Sequence, residues 1–250
     1  AAADKTQKVY AVVAPSIASQ FRYATLGQVV TGIKRLGFHT VVEAALGADM
    51  VAWAESQELI EKGILTSSCC PAFVDYVEKA FPDLKKYVSH NLSPMATIAR
   101  YIKQNDANAK TVFIGPCTAK KMEAKRPEFQ HDGKPDVDLV LTTQEIIMMI
   151  KESGIRFAEL EGESPDLPFG MGTGAATIFG TTGGVAEAVA RRVVEDKSKN
   201  TLQAIQFSGI RGSETIRAVT LPVGDRALRI AVVHGLVNAQ KLLDDIESGQ

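Results

Sequence analysis

The chain has 250 residues, 45% of them hydrophobic, and a net charge of −1. That length carries one large core or two smaller ones, and the balanced charge removes the electrostatic case for nucleic acid or an anionic membrane surface. Three cysteines, an odd number, argue against a disulfide framework, and no apolar run approaches the ~20 residues of a membrane span. Ala1–Ala3 are followed by charged residues with no apolar leader segment, so a reducing cytoplasm is the expected compartment.

Residues 1–8 read as a solvated tail. Val9 to Ala14 is a continuous apolar run, the pattern of a strand buried on both faces. Leu26, Val29, Val30, Ile33 and Leu36 share one face of a helix over Thr25–Leu36, closed by Gly37. Thr40–Ala44 reads as a second strand, Gly47–Glu61 as a long helix and Ile64–Ser68 as a third strand. This alternation predicts an α/β fold with a mostly parallel sheet flanked by helices. Helices follow over Ala72–Phe81 and Met95–Lys103. The polar loop Gln104–Lys110 is the expected boundary between a first lobe, about residues 9–105, and a second, about residues 111–250. The second lobe reads as strands over Thr111–Gly115 and Val137–Thr142, a helix over Thr143–Ser153 and a Gly/Pro/Thr-rich irregular segment over 154–182. A helix over Val185–Glu195, β-like runs at Ala204–Ile210, Ile216–Val223 and Ala227–Val233, and a last helix over Leu236–Ile246 complete it.

The candidate chemistry sits at the ends of strands. Cys69 and Cys70 lie at a strand-to-helix turn, with Pro71 in the first turn of the helix. The unpaired N–H groups there favour a thiolate. Adjacent side chains in an extended turn diverge, so one thiol is expected to bind metal and the other to face a different cavity. Free cysteines are also often small buried hydrophobes, and that reading stands beside the first. Cys117 follows the strand Thr111–Gly115, the position at which open α/β sheets place ligands. Lys120 and Lys121 nearby could pair with an anionic ligand or be solvated surface charge. Glu55 and Glu58, one helical turn apart, could relay protons or form a solvated face. The Gly-rich runs Gly170–Gly174 and Gly180–Gly184 lack the Lys-Ser/Thr ending of a phosphate loop. They fit better as places where backbone approaches a bulky cofactor. His39, His90, His131 and His234 show no metal-ligand spacing and read as ordinary surface or core.

Taken together and in order, Thr66-Ser67-Ser68-Cys69-Cys70-Pro71, Gly115-Pro116-Cys117-Thr118-Ala119-Lys120-Lys121-Met122-Glu123, Asp136–Thr143 and Ile178–Val185 closely resemble the catalytic domain of the iron-only (FeFe) hydrogenases. The resemblance runs from about Val9 to the last residue. It implies two α/β lobes, each a small mostly parallel sheet flanked by helices, with the H-cluster, a four-iron cubane joined to a diiron unit bearing CO and cyanide, in the cleft between them. It further implies that Cys70 and Cys117 are two of the cubane's four cysteine ligands and that Cys69 passes protons to the diiron site. Glu55, Ser89 and Glu58 match the proton path. Lys120 matches a lysine that hydrogen-bonds a cyanide, Ala14, Pro15 and Ser16 a segment lining the diiron pocket, and Phe179 a residue packed near it, with Gly115, Pro116 and Gly180 beside the cofactor.

Two departures from the family pattern matter. Gly115 stands where catalytic members usually have methionine, which resembles divergent or sensory members and would leave extra space at the cluster. The family's third motif, with two further cysteines, has no counterpart, so the sequence reads as a domain ending before its last cluster-binding segment, with an absent or incomplete cluster. The activity implied for the complete protein is interconversion of protons plus electrons and molecular hydrogen in an anaerobic setting. Its implied partners are ferredoxin or an iron–sulfur domain as electron relay and, for the missing cysteines, a second chain. A hydrogen-sensing relative and a non-catalytic iron–sulfur assembly protein on the same fold are the alternatives.

Overall fold

The computed structural model describes residues 7–131, 133–198, 209–212, 214–223 and 226–249. In chain order its main elements are β1 (Val9–Val13), α1 (Leu26–Arg35), β2 (Thr40–Glu43), α2 (Ala45–Lys62), α3 (Pro71–Ala80), α4 (Pro94–Asn105) and β3 (Lys110–Gly115). There follow β4 (Leu139–Thr142), α5 (Thr143–Glu152), α6 (Gly184–Ser198), β5 (Ile216–Val223), β6 (Arg226–Val233) and α7 (Leu236–Glu247). The chain forms two compact units, one from the described residues up to 48 together with 92–173, the other from 49–91 together with the described residues from 174 onward.

The first unit is built on a four-stranded sheet in the order β2-β1-β3-β4, parallel throughout. All five residues of β1 are buried, because a central strand of a parallel sheet is covered on both faces. Alternate residues serve the two faces. Val9, Ala11, Val13, Val112 and Ile114 pack with Val29, Val30 and Ile33 of α1 and Ile146 and Ile150 of α5. Tyr10, Val12, Phe113 and Val140 pack with Met95, Ile98, Ala99 and Ile102 of α4. Capping boxes start two of these helices, Thr25 with Gln28 for α1 and Thr142 with Glu145 for α5.

The edge strand β2 is covered by the segment after α5. The Asp166 N–H donates to the Val41 carbonyl at 2.7 Å, and the Val41 N–H donates to Asp166 Oδ2 at 2.8 Å. Lys34 neutralises the same carboxylate at 2.9 Å, so the edge has few open groups left for pairing. Further along, a Cβ on Gly172 would lie 3.0 Å from the Ala45 carbonyl carbon. This glycine therefore lets protein backbone approach protein backbone, not the bulky cofactor expected for the Gly-rich stretch.

In the second unit α6 packs against the antiparallel hairpin β5–β6, through Ala188, Val189, Val193 and Val194 with Leu221 and Val223. Val77, Phe81, Leu84 and Val88 form a separate cluster with Leu243 of α7. Among the described residues no helix is long and apolar enough to cross a membrane.

The helices and the strands β1 to β4 fall within a few residues of the sequence reading; three expectations are corrected. Ile64–Ser68 is not a strand of the parallel sheet, and forms a single parallel bridge, Thr66 with Val88. The boundary near Gln104–Lys110 does not separate lobes, because β3 pairs with β1 along five residues and belongs to the first sheet. The runs 216–223 and 227–233 pair antiparallel with each other. The β-like run at Ala204–Ile210 lies, over 204–208, outside the described residues.

Gly115 ends β3 on the face shared with Phe113. A Cβ there would lie 2.7 Å from Phe113 Cε1 and 3.2 Å from the Cβ of Ala14. The extra space expected from this glycine is thus filled on that side by the Phe113 ring, which is 6% exposed and packed in the core. Gly115→Ala is expected to cost about 1–3 kcal/mol by overpacking, read as a lower melting temperature. Adding Phe113→Leu in the same chain should recover most of the loss. A single variant that melts like the parent would show that the ring yields freely.

Candidate active site

The thiol turn of the second unit is tied down by backbone. Thr66 N–H donates to the Tyr87 carbonyl at 2.7 Å, and Ser89 N–H donates to the Thr66 carbonyl at 2.8 Å. Cys70 is the N-cap of α3, in extended conformation, with Pro71 in the first turn. Its own side chain makes no capping bond there, so the thiol stands at the positive end of the helix without being spent on it. Cys70 is exposed and Cys69 half-buried. The two neighbours therefore have different surroundings, as divergent side chains in an extended turn should.

Next to this turn lies a buried carboxyl. Glu55, in α2, is 1% exposed, which removes the solvated-face reading. Its Oε1 accepts from Ser67 Oγ at 3.0 Å and from the Ser68 N–H at 3.2 Å. Ser67 Oγ in turn accepts from the Cys69 N–H at 3.4 Å. Burial pushes the Glu55 pKa up to about 7, the nearby Glu58 charge adding to the rise and hydrogen bonds from Ser68, Ser67 and Ser89 working against it. Ser89 donates at 2.9 Å to Glu58 Oε2, accepts from Asn91 at 3.1 Å and acts on Glu55 as well, so one hydroxyl lies between the two carboxyls.

Glu58 has the opposite character. Its burial, which alone would raise the pKa, is outweighed by hydrogen bonds from Lys62, Ser89 and the His90 N–H, and the pKa is lowered. Lys62 lies 2.6 Å from Oε1 and Asn91 Nδ2 donates to Oε2 at 2.8 Å. A carboxyl protonated near neutral pH, a hydroxyl and an ionised carboxylate thus stand in series. Such a series can hold and hand on a proton.

The first unit presents a second group at the C-terminal ends of its parallel strands, where open α/β sheets place ligands. Ala14, Pro15 and Ser16 follow β1, and the Ala14 N–H donates to the Ile114 carbonyl at 2.9 Å. Pro116 and Cys117 follow β3, Cys117 half-buried. Lys120 is 8% exposed, not surface charge. Its Nζ lies 2.6 Å from Glu123 Oε2, which also accepts from Ser93 Oγ at 3.1 Å. Burial raises the Glu123 pKa against the opposing pull of Lys120 and Ser93. Lys121 pairs with Glu145 at 2.6 Å. In the second unit Phe179 lies in a tight turn, Ile178–Gly180, half-buried against the α6 cluster, and Gly180 is exposed.

The structure therefore brings together Glu55, Ser89 and Glu58 with the segment carrying Cys69. It groups Ala14, Gly115 and Cys117 at adjacent strand ends of the other unit. Ser67, Asn91, Lys62, Ser93 and Glu123 were not singled out for a role from sequence. Two of them carry a readable signal: Lys62 is four residues after Glu58 and Glu123 three after Lys120, spacings that share a helix face. Among the described residues no group of three or more His, Cys, Asp and Glu side chains is placed to hold a metal ion.

A family model described as "Iron only hydrogenase large subunit, C-terminal domain" matches residues 7–250. The chain is 37% identical over 245 residues to the NADP-reducing hydrogenase subunit HndD of Solidesulfovibrio fructosivorans, covering 90% of this chain and 42% of that protein. It is 35% identical over 242 residues to the periplasmic Fe hydrogenase large subunit of Nitratidesulfovibrio vulgaris, covering 90% and 58%. The chain thus spans about half the length of these curated relatives. A solved structure of apo FeFe-hydrogenase HydA1 from Chlamydomonas reinhardtii, a histidine-for-cysteine variant, superimposes with a TM-score of 0.81 at 31% identity, covering 100% of this chain and 76% of that one. More distant, at 25% identity over 262 residues (94% of this chain, 55% of that protein), is the cytosolic iron-sulfur assembly component 3 of Mus musculus.

The Glu55 environment has a consequence for stability. Its pKa is about 7 folded against an ordinary 4.5, so between those values the folded state keeps a proton that the unfolded chain has lost. The contribution is fully present below about pH 4.5 and is lost as pH rises through about 7. Glu55→Gln keeps the acceptor oxygen and removes the titration. Relative to the parent, this variant should gain on the order of 3 kcal/mol between pH 4.5 and pH 8 in urea unfolding. A parallel pH dependence in the two proteins would contradict the assignment.

Proposed function

This chain belongs to the family of iron-only hydrogenase C-terminal domains found in the large subunits of those enzymes, and on that premise we propose that it is an H-cluster domain whose complete protein interconverts protons plus electrons and molecular hydrogen. The observation that carries the proposal is the series Glu55, Ser89, Glu58, buried at one end and ionised at the other, beside the turn that bears Cys69 and Cys70.

The donor set fits the cofactor in kind and in part. Cys70 stands at the start of α3 and Cys117 past the end of β3, with thiols that are exposed or half-buried, suited to bind iron as thiolates. A four-cysteine cubane needs more than the three cysteines of this sequence, so further donors come from a second chain, an additional segment or small thiols. When bound, the four-iron cubane and its diiron unit would store electrons and offer the metal site at which protons are reduced.

The chain's own residues do the rest. Lys120, held by Glu123, offers a buried ammonium to an anionic ligand of the cofactor. Ala14, Pro15, Ser16, Gly115, Pro116, Phe179 and Gly180 shape the surroundings and limit water. Cys69 exchanges a proton with the reacting centre, Glu55 restores it, and Ser89 and Glu58 connect Glu55 to solvent. Electrons come from a ferredoxin or an iron–sulfur domain.

A second reading, an iron–sulfur protein without hydrogen turnover, has the support of the distant likeness to the mouse assembly component. Maturation of the natural full-length protein with the diiron cofactor separates them. The proposal expects infrared bands of CO and cyanide and hydrogen evolution from a low-potential donor. Cys69→Ser, which replaces a thiol by a much weaker acid, should lower evolution about a hundredfold or more while leaving those bands in place. Iron bound as a cubane with neither bands nor hydrogen would overturn the proposal in favour of the second reading.

A further inference from the structure

His90 stands where the carboxyl series meets solvent. Its side chain is 76% exposed, and its Nδ1 lies 3.1 Å from Glu58 Oε1. Its backbone N–H donates to both oxygens of Glu58, each at 3.2 Å, which fixes the ring's attachment point over the carboxylate. Lys62 Nζ lies 3.2 Å from the same Nδ1, 2.6 Å from Glu58 Oε1 and 3.3 Å from the Lys86 carbonyl. Ser89 and Asn91 also face Glu58, the Glu55 carboxyl is near enough to feel its charge, and the Lys86 ammonium is directed over the Tyr87 ring, 5.1 Å from its centroid.

We infer that His90 is the residue through which the Glu55–Ser89–Glu58 series exchanges protons with bulk water, with Lys62 as the group that resets it. This rests on the relay of the proposed function and extends it by one residue at the outer end.

Two arrangements follow from the distances. With a neutral ring, Nδ1 accepts a hydrogen bond from Lys62, which also holds Glu58 ionised. With an imidazolium, Nδ1–H cannot face an ammonium at that separation. It donates to Glu58 instead, and Lys62 has the Lys86 carbonyl to fall back on. Proton delivery is then a transfer from imidazolium Nδ1 to Glu58 Oε1, leaving a neutral ring and a carboxylic acid. The exposed ring rotates, Nδ1 takes a proton from water or buffer, and the charge is restored. Imidazole suits this position because its two ring nitrogens let it take a proton on one side and release one on the other. Lys62, paired with Glu58 at 2.6 Å, serves as its counter-charge.

The test uses the full 250-residue chain and needs no cofactor. Infrared detection after a rapid pH jump across the Glu55 midpoint gives the rate at which the Glu55 carboxyl gains its proton. His90→Ala should slow that rate at least about tenfold, and free imidazole in the buffer should restore it in proportion to its concentration. A lost packing contact would not respond to imidazole. Glu58→Gln should be slow and indifferent to imidazole. A parent-like rate in His90→Ala, or a slow rate that imidazole leaves unchanged, overturns the role of His90 while leaving the relay intact. A parent-like rate in Glu58→Gln removes the relay itself, and with it the proposal.

Discussion

The burial of Glu55 is the constraint on which the functional reading depends. An ionisable group 1% exposed, with hydroxyls and one backbone N–H as partners, is costly in its charged form. The basic residue of the network, Lys62, is spent on Glu58 and leaves Glu55 to its hydroxyl partners. The result is a carboxyl that holds a proton to about neutral pH, with one hydroxyl between it and a carboxylate that does not. A structural role would be served more cheaply by an apolar residue of similar size. The same carboxyl organises the turn, through Ser67 and Ser68, that presents Cys69 and Cys70.

The first unit works by a different principle. A parallel sheet brings the ends of β1 and β3 side by side, so residues about a hundred apart in sequence, Ala14 and Gly115, become neighbours. Lys120 then needs a partner because it is buried, and Glu123 supplies it from the same short helix. At Gly115 the demand is steric: Phe113 already fills the space two residues earlier on the same face. That glycine accordingly gives no ground for an enlarged, sensory-type pocket on that side.

Much of this was legible in the sequence because it is local. Apolar periodicity marked β1, α1, β2, α4 and α5, and Pro71 marked the start of α3. Cys117 was legible as a strand-end site and Cys70 as a helix-start site. What was missed is non-local. Ile64–Ser68 looks like a sheet strand, but Thr66 makes one bridge while Ser67 and Ser68 spend their polar groups on Glu55 and on the Asn91 carbonyl. No pattern in Thr111–Gly115 says that it joins Val9–Val13 and not a sheet of its own. His90 and Asn91 reach Glu58 from a loop, which has no period to read. Gly172 belongs to a run that invites a cofactor, yet it meets the backbone at Ala45.

In the folded chain Glu55 carries a proton at neutral pH, next to the thiol turn. An isotope-edited carboxyl titration of Glu55, by infrared or carbon NMR, measures this directly. The expected midpoint is near pH 7, moving toward ordinary carboxyl values in unfolding concentrations of urea. A midpoint in the folded protein near 4.5, the ordinary value, would contradict it and leave the series Glu55, Ser89, Glu58 without a proton to pass.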